Sequence, residues 1–149
     1  MKLFISHSSS DKPFVRKLKQ DFELNYINTW YDEDELQFGD SLVNKLSSGL
    51  YNSSHFIIVL SPNSIASDWV KYELENALKY IEEETVKKII PIHYRKCEIP
   101  KEIEDLLNID LTKETVYLRN GNFEFYGDIY YRNLDKLIRN LQKDDFVLT

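Results

Sequence analysis

The chain contains one cysteine, Cys97, which excludes a disulfide within it. Glycine and proline are scarce too, four of each in 149 residues. They mark local turns, and no Gly/Ser linker, internal repeat or low-complexity segment divides the chain. Long hydrophobic runs are missing. The longest, FIIVL at residues 56–60, is far short of the roughly 20 residues that cross a bilayer, so no membrane partner is expected. The opening MKLFISHSSS has no apolar stretch of leader length, and a cytoplasmic protein is expected. Basic clusters are equally thin. Net charge is −6, and only the pairs Arg16-Lys17, Lys87-Lys88 and Arg95-Lys96 stand together, which argues against a nucleic-acid surface.

Several chemical signatures are absent as well. No lysine follows a glycine-rich phosphate turn, and there is no G-x-G-x-x-G. Glycine flanks none of the serines in SHSSS, so no nucleophile elbow forms there. His7 beside Ser8 is adjacency in sequence and does not define a catalytic pair. His93 and Cys97 follow IIPI, which reads as a strand. Four residues along a strand span about 13 Å, too far to share one ion, and no metal site is expected.

What the chain does have is an ordinary globular composition, 30% charged and 13% aromatic, at a length that suits a single domain over residues 1–149. Three short runs are apolar at nearly every position: LFI (3–5), FIIVL (56–60) and IIPI (89–92). Runs without alternation are expected of strands buried on both faces of a parallel sheet. INTWY (27–31) is a weaker fourth, and a fifth falls at either 109–111 or 115–118. Helical stripes lie between them. Phe14, Val15, Leu18 and Phe22 form one, with Ser10 or Asp11 available as cap and Pro13 in its first turn. Leu42, Val43, Leu46 and Leu50 form another, and Ile103, Leu106 and Leu107 a short one opened by Pro100. Leu134, Leu137, Ile138 and Leu141 form the clearest. Alternating strand and helix predicts the α/β class, an open parallel sheet of about five strands with helices on both faces.

In such a sheet ligands bind at the carboxyl ends of the strands. The loops expected there are SHSSSD (6–11), DEDELQFGDS (32–41) and SPNSIASD (61–68). The helix after the third carries SDWVKYELENAL. At about 100° per residue, Val70, Leu74, Ala77, Leu78 and Ile81 form its core face, and Lys71, Glu75 and Lys79 its solvated face. Trp69, Glu73, Asn76 and Tyr80 form a third stripe, facing a rim or groove. Glu73 has two readings: a Trp–Glu pair or salt bridge closing the helix N-terminus, or a working carboxylate. A polar loop entering a helix N-terminus suits phosphate. With a Trp-flanked carboxylate nearby, that set suits cleavage of the N-glycosidic bond of NAD+. Nicotinamide leaves as a neutral molecule, so no general acid is needed and one carboxylate can steady the ribosyl cation. Trp69 could offer its face to the cationic ring.

FISHSSSD, WYDEDELQFGDSL, IIVLSPNSIASDWVKYEL and IIPIHY occur in this order over nearly the whole chain. Together they resemble the Toll/interleukin receptor (TIR) domains in their bacterial form. The resemblance implies a flavodoxin-like sheet and an NAD+ hydrolase or cyclase with a place in bacterial defence signalling. The W-x-x-x-E spacing of Trp69 and Glu73 makes Glu73 the catalytic residue by position. Ser6, His7 and Ser8 of the first loop, and Asp32 and Leu36 of the second, would contact the dinucleotide. NAD+ would be substrate, with no separate cofactor, and the active form would be a self-associated assembly. One departure is visible. The family's L-x-P-G reads LQFG here, with Phe38 at the proline position. The stretch 112–131 matches no motif, and its tyrosines are expected to pack at a sheet edge. Two alternatives remain: a TIR interaction module without catalysis, and another glycosyl transferase of the nucleoside type.

Overall fold

The apolar runs become strands slightly longer than their hydrophobic centres. In the computed structural model, which describes residues 1–30, 37–114, 116–119 and 123–148, these are β1 (Lys2–Ser6), β2 (Asn28–Trp30), β3 (His55–Leu60) and β4 (Lys88–His93). With β5 (Ile109–Asp110) they form one parallel sheet in the order β2-β1-β3-β4-β5. Every residue of β3 is buried, because it has a strand on each side and helices above and below.

Both candidate positions for the fifth strand are extended, and only one joins this sheet. Ile109–Asp110 pairs in parallel with Ile92–His93. Residues 116–119 form β6 (Val116–Arg119), which pairs antiparallel with β7 (Phe123–Tyr126) in a separate hairpin. The expected second strand also narrows: residues 28–30 are strand, and residue 31 lies outside the described residues.

Five α-helical segments are described: α1 (Lys12–Leu24), α2 (Leu42–Tyr51), α3 (Pro62–Ile65), α4 (Asp68–Glu82) and α5 (Asp128–Leu148). Alternation along β1 sorts the core into two layers. Leu3 and Ile5 point to a layer with Phe14, Val15, Leu18 and Phe22 of α1 and Leu134, Leu137, Ile138 and Leu141 of α5. Phe4 points the other way, to Leu46 and Leu50 of α2 and Val70, Leu74 and Ala77 of α4. Its ring stacks between Trp30 at 5.1 Å and Phe56 at 5.7 Å. Among the described residues no helix is long and apolar enough to cross a membrane.

Two expectations change at this level. The stripe at 103–107 is one 3-10 turn, Lys101–Ile103. Ile103 reaches the core while Leu107 is exposed, so burial supports no further turn. The tyrosines at 126 and 130 leave the sheet edge for the core. They stack on each other at 4.7 Å, and both meet Phe14 edge-on. The Tyr130 hydroxyl donates to Asp21 Oδ2 at 2.6 Å. Burial, and then the negative Asp21, hold that phenol well above its ordinary pKa.

Candidate active site at the switch point

The chain leaves β1 toward one edge of the sheet and β3 toward the other, so the strand order reverses between them. At such a point the loops diverge and leave a crevice beyond the carboxyl ends. Ser6 ends β1 there, Ser61 follows β3, and α4 rises from the loop after Ser61. Ser67 caps α4 by accepting the Val70 N–H at 3.3 Å, which fixes the start of the helix one turn before Glu73.

Glu73 is not on a solvated rim. It is 4% exposed, and Oε1 accepts a hydrogen bond from Ser6 Oγ at 2.9 Å. Exposed Glu75, two residues on, shows the contrast. Of the rest of its stripe, Trp69 and Tyr80 are half-buried and packed against the layer under α2 and α4. Trp69 stacks on Tyr72 at 5.4 Å, and Tyr80 meets Tyr51 edge-on at 5.7 Å. Asn76 donates to the Tyr72 carbonyl at 2.8 Å. A desolvated carboxylate can stabilise a developing positive charge far better than one in water.

The first loop is ordered by its own polar groups. Ser8 accepts the Ser10 N–H at 3.2 Å and caps a 3-10 turn, Ser9–Asp11. His7 donates from Nδ1 to the Ile5 carbonyl at 3.0 Å. Asp11 stands at the cap position of α1 without capping it. Its carboxylate is buried and accepts from Ser61 Oγ at 2.5 Å, joining the loops that follow β1 and β3. Burial raises the Asp11 pKa, and the Ser61 hydrogen bond and the nearby His7 and Arg95 offset part of that.

The structure thus brings Ser6 onto Glu73 and sets Trp69 one turn before it on α4, while His7 and Ser8 fold back on their own loop. Asp32 and Leu36 lie outside the described residues. In the remainder of the second loop, Asp40 N–H donates to the Gln37 carbonyl at 3.1 Å, and Gly39 has φ +93°. That is a tight turn with exposed Phe38 at its second position. The strand spacing expected for His93 and Cys97 does not hold, because β4 ends at His93. The chain turns, and the Cys97 N–H donates to His93 Nε2 at 3.3 Å. No group of three His, Cys, Asp or Glu is placed to hold a metal among the described residues.

Two features were missed from sequence. The Asp11–Ser61 bond leaves no local trace, since the residues are 50 apart. The Ser6–Glu73 pairing had one: Ser6 shares the strand parity of Phe4, and that parity faces α4.

A parallel sheet in this order, with a buried carboxylate at its switch point, places the protein among the doubly wound α/β domains that use that crevice. The model of the TIR domain family matches residues 3–121, and the chain belongs to that family. It is 45% identical to the 2' cyclic ADP-D-ribose synthase AbTIR of Acinetobacter baumannii over 94 residues, 62% of this chain and 35% of that protein. It is 41% identical to the 2' cyclic ADP-D-ribose synthase BtTIR of Bacteroides thetaiotaomicron over 93 residues, 62% of this chain and 32% of the other. With the NAD(+) hydrolase TcpC of Escherichia coli it shares 37% over 90 residues, 60% and 29%. The chain therefore spans about a third of the length of these curated relatives. In fold it is similar to the TIR domain of the Toll-related receptor TRR-2 of Hydra magnipapillata, with a TM-score of 0.68 at 21% identity, covering 92% of this chain and 97% of that one.

Proposed function

We propose that this domain cleaves the nicotinamide–ribose bond of NAD+, releasing nicotinamide and either ADP-ribose or a cyclised isomer. The observation that carries the reading is Glu73, a carboxylate 4% exposed at the switch point and hydrogen-bonded to Ser6. The names of the relatives, cyclic ADP-D-ribose synthases and NAD(+) hydrolases, support it.

In this scheme the C1'–N bond breaks with its electron pair going to nicotinamide, which leaves neutral. Positive charge grows on the ribose, and Glu73 stabilises it electrostatically. Water or a hydroxyl of the same molecule then closes on C1' and gives up its proton to solvent, or a ring nitrogen closes on C1' through its lone pair. NAD+ is the substrate, and the chemistry calls for no further cofactor. The active form is a self-association of TIR domains acting in the cytoplasm, as part of a bacterial defence response.

Incubating the protein with NAD+ and separating the products tests the reading. Nicotinamide appearing with ADP-ribose or a cyclic isomer is the expected result. No nicotinamide at any protein concentration would favour an interaction module without catalysis. Cleavage of a deoxynucleoside in place of NAD+ would favour a nucleoside-type transferase.

A further inference from the structure

The resemblance implies that Ser6 touches the dinucleotide, yet Ser6 is 0% exposed and its hydroxyl is directed at Glu73 Oε1, 2.9 Å away. Its position is fixed from two sides. The backbone of Ser6 is held in register with Ile58 of β3, so the hydroxyl projects from the central part of the sheet. Strand parity then directs it to the layer under α4. Glu73 approaches from a helix that is separately capped and packed through Val70, Leu74 and Ala77.

We infer that Ser6 is a positioning residue, whose hydroxyl holds the Glu73 carboxylate in one orientation and in its ionised form. This rests on the reading of Glu73 as the acting group. A glutamate has a long side chain with several rotamers, and a catalytic head group must be held within a fraction of an ångström to act on a developing charge. A charge-assisted hydrogen bond from a group anchored in the sheet supplies that restraint. It also favours the ionised carboxylate, offsetting the penalty that burial places on it.

Steady-state kinetics of the intact protein with NAD+, using Ser6→Ala, Ser6→Thr and Ser53→Ala, separate this role from mere packing. Ser53 is also buried, and its hydroxyl donates to the Gly49 carbonyl at 2.7 Å near the opposite end of β3. Removing one charge-assisted bond should lower kcat in Ser6→Ala about ten- to a hundredfold, with KM within about twofold. The acid limb of its pH–rate profile should move to higher pH. Ser6→Thr keeps the hydroxyl and should recover most of the rate, and Ser53→Ala should keep the wild-type kcat. If Ser6→Ala does not fold, Ser6→Cys, similar in volume and a weak donor, takes its place. A wild-type kcat in the Ser6 variant, or an equal loss in Ser53→Ala, would overturn the inference.

One readout needs no turnover. In 13C NMR of labelled protein, the titration midpoint of the Glu73 carboxyl should rise in Ser6→Ala, and an unmoved midpoint would overturn the assignment. If wild type releases no nicotinamide, the functional reading falls while this titration still decides the Ser6 role. If wild type is active and only Ser6→Ala behaves as wild type, the functional reading stands alone.

Discussion

Gly49 of α2 lies against the indole of Trp30, so close that a Cβ on it would stand 2.5 Å from Nε1 and 2.7 Å from Cδ2. The indole is buried and stacked on Phe4, so it has little room to yield. Gly49→Ala should destabilise the protein by about 1 to 3 kcal/mol through overpacking, despite the better helix propensity of alanine. Urea unfolding measures this. A variant as stable as wild type would mean that α2 can slide outward without loss.

Glu73→Gln keeps the shape of the side chain and removes its charge. Nicotinamide release should fall on the order of 10² to 10³-fold, in line with loss of one preorganised electrostatic group. Exposed Glu75→Gln is the matched control and should keep both rate and stability, within about 0.5 kcal/mol. Initial rates for the three proteins, with thermal melts alongside, decide it. Retained cleavage in Glu73→Gln, or equal losses in both variants, would remove Glu73 from the mechanism.

The turn at 37–40 carries its positive φ at Gly39, the third position. A turn of that form accepts proline at its second position, where Phe38 stands. Phe38→Pro should therefore leave folding intact and stiffen the loop, stabilising by about 0.4 to 1 kcal/mol through the unfolded chain. The apparent NAD+ affinity should change with it. KM and kcat both identical to wild type would place this loop outside the reaction.

His55 at the start of β3 is sealed from solvent, with Nδ1 2.8 Å from Ser54 Oγ and Nε2 3.2 Å from Asp144 Oδ2. Burial pushes its pKa below the ordinary 6.5, and Asp144 only partly offsets this. Asp144 stays below its usual range: burial opposes ionisation, but hydrogen bonds from Lys88 and His55 outweigh it. A histidine kept neutral by folding takes up its proton more readily when unfolded. Stability should therefore fall as pH drops below about 6.5, the unfolded value, toward the lower folded one. His55→Gln should flatten the dependence between about pH 7 and 5. Urea melts across that window measure it, and parallel slopes would exclude His55 as the titrating group.

An active form built from several copies makes specific activity depend on protein concentration. Nicotinamide release per mole of chain should rise with concentration or crowding. A flat value over two decades would leave a single copy as the working unit.

The layered sheet was legible because burial on both faces leaves short apolar runs such as FIIVL, and because the stripes of α1 and α5 repeat at helical spacing and enter the core. Of the stripe expected over α2, Leu46 and Leu50 are buried while Leu42 and Val43, in its first turn, are exposed. The hairpin of β6 and β7 was not legible as such, since TVYL resembles a parallel strand until its partner is known. At 103–107 the stripe existed, but only Ile103 found a core to enter. The same limit shaped the site. The wheel separated Glu73 from Glu75, which was enough to single it out. It could not show that Glu73 is buried, because the serine that receives it is 67 residues earlier.

That separation bears on synthesis. During translation Ser6 is made 67 residues before Glu73, and the bond between them forms only once α4 has been made. An assembled carboxylate is therefore unavailable to a nascent or truncated chain that stops short of α4. Under the proposed NAD+ cleavage, the working carboxylate exists only in a chain made through the helix that ends at Glu82.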